Sequence, residues 1–307
     1  MAENIIIAGE KKKTDEEKAD RICVSVERGD TVAVICDNPE ELSRIVGTDT
    51  RIYKGNIWFP ELMEKAKVPA ERTTALISDY LSWEERHPLG NLEYLVLSMM
   101  VETAYKSGDF YTGMNRQNFN EILKSCRGKA DAVSEERKEA RSIYEKIRGR
   151  LAEMGFLDEY ESIGMPEAGK VTFIQSKYPF LCSLYLECLY RTIKNRTVLF
   201  VPGYVRQQME TLETAKERGI STIITVSSID FLTMFYPGRF AGLFAPADEI
   251  ILCGEQMLRR RTAGLLARMG SDVENEGLVA ENILNLKQNG VCRIKRGKEI
   301  SFRVKEN

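Results

Sequence analysis

The sequence predicts an α/β fold: a mostly parallel sheet with flanking helices, interrupted by an all-helical insertion and closed by a C-terminal β-hairpin. Three observations carry this expectation. Short apolar runs such as "NIIIAG", "TVAVI", "TVLFVPG" and "EIILCG" alternate with helical stretches at both ends of the chain, and strands separated by helical crossovers pair in parallel. Between residues 61 and 164 the spacing turns helical and strand signals fade. The chain ends on "GVCRIKRGKEISFRV", two β runs around "KRGK", the pattern of a hairpin. The expected division is therefore 1–60 and 165–307 for the α/β domain and 61–164 for the helical insertion.

Each element has its own signal. Asn4 to Ala8 reads as a short buried strand, and Lys13 to Val26 as a helix with Ile22 and Val26 one turn apart. A second strand, Thr31 to Cys36, delivers Asp37 and Asn38 into a turn, and Pro39 suits the first position of the next helix. "RIYKG" adds a short strand. "NLEYLVLSMMVETAY", "NRQNFNEILKSC" and "SEERKEARSIYEKIRGRLAEM" make up the helical block, the last with a solvated face stitched by charge pairs one turn apart. Strand character then returns at "KVTFIQS". After it come the apolar helix "FLCSLYLECLYRTI", the central strand "TVLFVPG", helix "YVRQQMETLETAKERG", strand "STIITVSS", helix "DFLTMFY", strand "EIILCG" and helix "EQMLRRRTAGLLARMG".

Composition narrows function by exclusion. Of 307 residues, 44 are basic and 46 acidic, so no global field draws the chain to nucleic acid or to a membrane surface. The seven cysteines are scattered without a C-x-x-C pair, and the one histidine, His87, gives them little help toward a zinc site. They read as reduced core residues. No apolar run reaches the ~20 residues of a membrane span, and the expected location is the cytoplasm, with docking onto a membrane complex left open.

One stretch raises a specific chemistry. A phosphate loop needs G-x-x-x-x-G-K-[ST], so that backbone amides cradle phosphates while the lysine and hydroxyl meet the terminal phosphate and magnesium. "AGEKKKTDEEKADRI" offers Gly9 and the pair Lys13 and Thr14, but Lys12 replaces the second glycine and the loop is about two residues short. A Cβ at that position obstructs close approach to phosphates. A hydrolase of this class also needs carboxylates at the end of a neighbouring apolar strand. The strand "TVLFV" ends instead in Pro202 and Gly203. There is no G-x-S-x-G elbow, and His87 before Pro88 reads as a surface residue rather than a catalytic base. Arg259, Arg260 and Arg261 fall on an expected helix, where consecutive positions splay around the axis.

Taken in order, these segments resemble the motor domain of the FtsK/HerA superfamily, and most of all the conjugation and type IV secretion ATPases. "IIIAGEKKKTDEEKADRI" stands where the family has its phosphate loop, "TVAVICDNPEELSRIV" is similar to its second strand and helix, and "TVLFVPGYVRQQM" occupies the place of its acidic motif. "STIITVSSIDFL", "ADEIILCGEQMLRRRTAGLLARMG" and "GLVAENILNLKQNGVCRIKRGKEISFRV" resemble the closing elements, so the match spans nearly the whole chain. The resemblance implies a RecA-like P-loop NTPase fold with ATP and magnesium as cofactors where the loop is competent. It assigns Lys13 and Thr14 to phosphate and metal, Ser227 or Ser228 to the sensor position, and Arg218 to a basic residue offered across a subunit boundary. Family members carry a further N-terminal domain, which this chain is expected to lack because its first strand begins at once.

With both nucleotide motifs altered, the expected function is that of a degenerate, non-hydrolysing ATPase-like component of a DNA-transfer or secretion machinery, beside an active motor. One alternative is a weak ATPase with Asp37 recruited as the carboxylate, against a structural role for Asp37 as the cap of the helix at Pro39. Another is a nucleic-acid-binding module that works without ATP through "LRRRT" and "RIKRGK". Whether the chain forms homo-oligomers is left open.

Overall fold

Five apolar runs become the centre of one sheet. The computed structural model describes residues 2–47, 49–55, 57–85, 88–106, 137–153, 161–176, 178–193, 196–205, 209–231, 246–270, 275–298 and 300–304. His87, Cys126, the segment "NRQNFNEILKSC" and most of "DFLTMFY" lie outside the described residues. In chain order the elements are β1 (Asn4–Gly9), α1 (Lys11–Glu27), β2 (Thr31–Ile35), α2 (Pro39–Val46), β3 (Thr50–Gly55), β4 (Ile57–Trp58), α3 (Pro60–Ala66), α4 (Ala70–Glu85), α5 (Asn91–Lys106) and α6 (Arg137–Glu153). There follow β5 (Glu161–Ser162), β6 (Val171–Ser176), α7 (Pro179–Thr192), β7 (Thr197–Pro202), α8 (Met209–Glu217), β8 (Ile220–Val226), β9 (Glu249–Cys253), α9 (Arg260–Met269), α10 (Glu276–Leu284), β10 (Gly290–Lys295) and β11 (Ser301–Val304).

Two compact units emerge: residues 1–52, 166–175 and 193–307 form the first, and residues 53–165 and 176–192 the second. In the first, nine strands run in the order β11-β10-β9-β1-β8-β7-β2-β6-β3. β1 lies between β8 and β9, and β7 between β8 and β2, all in parallel, whereas β10 pairs antiparallel with β9 and with β11. This is the parallel sheet with a closing hairpin expected from the sequence. β1, β2, β7 and β9 are buried at every position, as continuous apolar runs covered on both faces must be. α1 lays Ala19 and Ile22 onto Ile5, Ile7, Val34, Phe200 and Ile223, and each large aliphatic side chain so buried contributes about 1.5–3 kcal/mol.

Charge adds a second anchor for α1. Glu17 accepts from Arg21 (3.1 Å) and from Arg293 on β10 (2.8 Å to each carboxylate oxygen), and Arg21 reaches Glu249 on β9 at 3.0 Å. Arg293 also lies 3.5 Å from the second oxygen of Glu249. Both carboxylates are buried, so the ring persists because each charge is answered by another.

The turn from β1 into α1 is unusually abrupt. Gly9 has φ of +150°, a Cβ placed there would sit 2.1 Å from the Cys253 carbonyl oxygen, and α1 starts at Lys11, two residues earlier than the sequence pattern suggests. At the other end of the unit, α9 starts at Arg260 with Arg259 as its N-cap, because Gly254 at φ +80° turns the chain out of β9 first. The expected helix over "EQMLRRRTAGLLARMG" therefore loses its first turn.

The second unit is built around α7, whose residues from Phe180 to Tyr190 are all buried, the mark of a helix enclosed on every side. Tyr185 meets Phe59 edge-on with centroids 5.2 Å apart, and Phe180 meets Tyr80 at 5.4 Å. The Tyr80 hydroxyl lies 2.7 Å from Ser183 Oγ. Glu187 accepts from Arg72 (3.2 and 3.1 Å) and Arg191 (2.8 Å). Among its described residues this unit also holds one short parallel pair, β4 with β5, which two-residue strands cannot announce by periodicity.

Two outcomes follow. Gly9→Ala should destabilise the chain by at least about 2 kcal/mol in urea titration, because the new Cβ meets backbone that cannot yield, whereas Gly297→Ala, in open space, should cost about 1 kcal/mol. For Glu187, burial pushes the carboxyl upward, but hydrogen bonds and charge from Arg72 and Arg191 outweigh it and hold it below its ordinary 4.5. A depressed folded-state value stabilises fully above the unfolded value and is lost as pH falls through the folded one. Below pH 4.5 the urea midpoint of wild type should therefore fall more steeply than that of Glu187→Gln.

Candidate functional site

The parallel strands β1, β2, β7 and β8 end along one edge of the sheet, the carboxyl edge where open α/β sheets hold ligands. There Gly9, Ile35, Pro202 and Val226 open onto a cleft of about 300 Å³, walled by the first two turns of α1 and by Asp37, Tyr204 and Ser227. Strand ends position these residues, since every one of them sits on or just beyond the last residue of a β run.

The amino end of α1 decides what the cleft offers. Only Glu10 separates Gly9 from the helix, and the Lys13 and Thr14 amides donate to the Glu10 carbonyl at 3.1 and 3.0 Å as ordinary helix bonds. The Thr14 hydroxyl, on a residue only 4% exposed, donates to the Lys11 carbonyl at 2.9 Å. Lys13 turns toward the link between α10 and β10: its Nζ donates to the Gln288 carbonyl at 2.5 Å and lies 3.0 Å from the Glu10 carboxylate. Lys12 is exposed. The cations on the cleft wall are instead Lys11 and Lys18, the latter paired with Asp15.

Across the cleft, Pro202 is the last residue of β7, and the Gly203 amide donates to the Thr225 carbonyl at 2.8 Å. Tyr204 follows, and its hydroxyl donates to Asp37 Oδ1 at 2.6 Å while Gln175 donates to the Asp37 carbonyl at 2.6 Å. Asp37 does not cap α2: the N-cap position belongs to Asn38, which makes no side-chain cap bond and donates to Glu41. Cys36 also lines the cleft, and burial pushes its thiol up to about 11, which keeps it protonated and weakly nucleophilic at neutral pH.

Beyond β8 the chain continues the site outward. Ser227 faces the cleft, and the Ser228 hydroxyl accepts from the Asp230 amide at 3.1 Å. Asp230 in turn accepts from the Thr262 hydroxyl (2.8 Å) and the Arg259 amide (3.2 Å), so its carboxylate closes the amino end of α9, where unsatisfied amides gather. Arg259, Arg260 and Arg261 are exposed there, Arg260 within 3.9 Å of Glu281. Arg218 follows α8 at the amino end of β8, on the edge of the sheet opposite the cleft.

The structure thus gathers Gly9, Thr14, Asp37, Pro202, Gly203 and Ser227 around one cleft and leaves Lys12, Lys13, Ser228, Arg218 and the three arginines outside its lining. Sequence reasoning missed Tyr204, Lys18 and Asp230. The Asp15 to Lys18 spacing and the "SSID" turn were available as signals, but nothing in sequence pairs Tyr204 with a residue 167 positions away. Among the described residues no group of three or more His, Cys, Asp or Glu is placed to hold a metal ion, and no described helix is long and apolar enough to cross a membrane.

No protein-family model matches the sequence, and no curated protein does. Solved structures match along its whole length. The bacterial conjugative coupling protein TrwB, as TrwBdeltaN70 with sulphate, superposes with a TM-score of 0.67 at 11% identity, covering 99% of this chain and 85% of that one. TrwB in complex with ADP and Mg2+ gives 0.69 at 11%, with 99% and 85% covered. VirB4 of Thermoanaerobacter pseudethanolicus gives 0.64 at 14%, with 99% and 90% covered. At such identities the likeness is one of fold, and the chain has the RecA-like P-loop NTPase fold that the resemblance implies.

The tie between β8 and α9 is open to direct measurement. Asp230→Ala should destabilise the chain by about 1–2 kcal/mol in urea titration, the scale of a lost helix cap, with Asp230→Asn retaining part of it.

Proposed function

We propose that this chain is a non-hydrolysing RecA-like domain that acts as a structural or regulatory component of a DNA-transfer or secretion machinery. The observation that carries the reading is the state of the carboxyl-edge cleft. Phosphoryl transfer depends on positioning and on neutralising charge, and here the groups that would do both are engaged elsewhere or missing. The amides of Lys13 and Thr14 close the first helical turn, the Thr14 hydroxyl serves the Lys11 carbonyl, Lys13 is held by Gln288 and Glu10, and β7 ends without a carboxylate. Of the acids that line the cleft, Asp37 is held by Tyr204 and Asp15 is paired with Lys18.

TrwB has been solved with ADP and Mg2+ and with non-hydrolysable GTP and ATP analogues. The residues of the present cleft do not fit such a nucleotide, because Lys13 is held away by Gln288 and Glu10, the Thr14 hydroxyl is spent on the Lys11 carbonyl, and a magnesium ion would find no acid on β7. What the fold supplies instead is shape. A motor-like domain without turnover takes a place beside active copies, with Arg218 on the sheet edge opposite the cleft and the exposed Arg259, Arg260 and Arg261 as a basic corner for nucleic acid or an acidic partner. Whether the neighbour is another copy or an active motor is a matter of surface fit.

ATP turnover by the purified chain with magnesium is the test. We expect phosphate release at the level of buffer alone, unchanged by Lys13→Ala or Asp37→Asn. Turnover above background that Lys13→Ala abolishes would overturn the proposal and restore the weak ATPase.

A further inference from the structure

The hairpin that closes the sheet leaves its last strand open on one side. β11 stands at the end of the strand order with only β10 beside it, and all four of its residues, Ser301 to Val304, are exposed. Along such a strand alternate residues turn their amides and carbonyls outward, where a further strand can bond to them. Proteins ordinarily blunt these edges with charge or proline, or cover them. β11 has Arg303 as its one charge and no proline, and it leaves Phe302 and Val304 40% and 62% exposed.

Register gives the two sides of this strand opposite characters. Phe302 lies opposite Cys292 and Val304 opposite Gly290, so both continue the side on which Leu286 packs against Gly290 and Ile300 against Gly270. Arg303 lies opposite Val291 and Ser301 opposite Arg293, on the side where Arg293 reaches Glu17 of α1. Lys295 alternates with Arg293 and shares that side. Arg303, Lys295 and Lys298 are exposed and make no ion pair among the described residues. A strand laid along β11 therefore meets an apolar row on one side and unanswered positive charge on the other.

We propose that β11 is a docking edge for an extended segment of a partner protein in which apolar and acidic residues alternate, added to the nine-stranded sheet as a further strand. Its apolar residues pack on Phe302 and Val304, its acidic residues face Arg303, and main-chain hydrogen bonds join the two strands. A second copy of this chain is the poorer occupant. Two-fold antiparallel pairing of β11 with itself sets Arg303 opposite Arg303, or one diagonal away when Phe302 pairs with Phe302, and like charges so placed are destabilising. The edge contributes nothing to the lining of the carboxyl-edge cleft, so what it binds is independent of nucleotide there.

Fluorescence anisotropy with the full chain and short labelled peptides tests it. A peptide alternating valine and glutamate should bind. The same peptide with lysine in place of glutamate, or with alternate amides N-methylated so that one edge cannot donate, should bind at least about tenfold more weakly. Arg303→Glu should weaken the glutamate peptide at least about tenfold and strengthen the lysine peptide, with the melting temperature unchanged because the side chain is exposed. Lys13→Ala in the cleft should change neither. No binding of the glutamate peptide, equal binding of its N-methylated form, or equal affinity in Arg303→Glu overturns the proposal. A dimer of the full chain in sedimentation that Val304→Pro dissolves would assign the edge to a second copy and overturn it as well.

Discussion

The close passage of Gly9 against the Cys253 carbonyl governs much of the rest. A residue with a side chain has no room there, so β1 and β9 come together at their carboxyl ends and the chain turns at once into α1. The first turn of the helix consequently closes on Glu10, whose carbonyl accepts the Lys13 and Thr14 amides. Elsewhere in this fold class a glycine-rich stretch holds the helix back and leaves amides free for phosphate. Here a single backbone approach shortens that stretch to Glu10 alone before any side chain is considered.

Once α1 is set that early, its charged face has fixed partners. Glu17 and Arg21 sit at the height of Glu249 and Arg293, and the four form a neutral group inside the unit. Breaking such a group leaves an uncompensated buried charge, which is costly, so the helix cannot slide along the sheet to lengthen the loop. The two edges of the sheet are thereby given different characters. At the carboxyl edge Tyr204 holds Asp37 on the cleft wall, while at the amino edge Arg28 and Arg196 stand exposed beside a second pocket.

Most of the sheet was legible in sequence because burial on both faces writes itself as unbroken apolar runs, as in "TVLFV" and "EIILC". The final hairpin was legible from its "KRGK" turn. Strand order was beyond reach, since nothing local tells β1 to lie between β8 and β9. The two-residue strands β4 and β5 are too short for any period. In the cleft, absence was easier to read than presence: Pro202 and Gly203 declare the missing acids on their own, whereas the direction of Lys13 depends on Gln288, 275 residues away. Arg259 was placed inside a helix by pattern, and the left-handed turn at Gly254 moved it to the cap.

The pairing of β1 also bears on how the chain comes to be folded. Ile5 to Ala8 find their neighbours only at Ile223 to Val226 and Glu249 to Leu252, so this apolar strand waits until more than seven-tenths of the 307 residues are made. Contacts that distant are slow to form, because the intervening chain must be ordered first. While it waits, a strand with both edges unpaired is a template for joining other chains. The second unit, largely composed of local helices, has its main elements complete before that wait ends. A nascent chain therefore carries a finished helical body and an unfinished sheet, and its hazard during synthesis is aggregation through "NIIIAG".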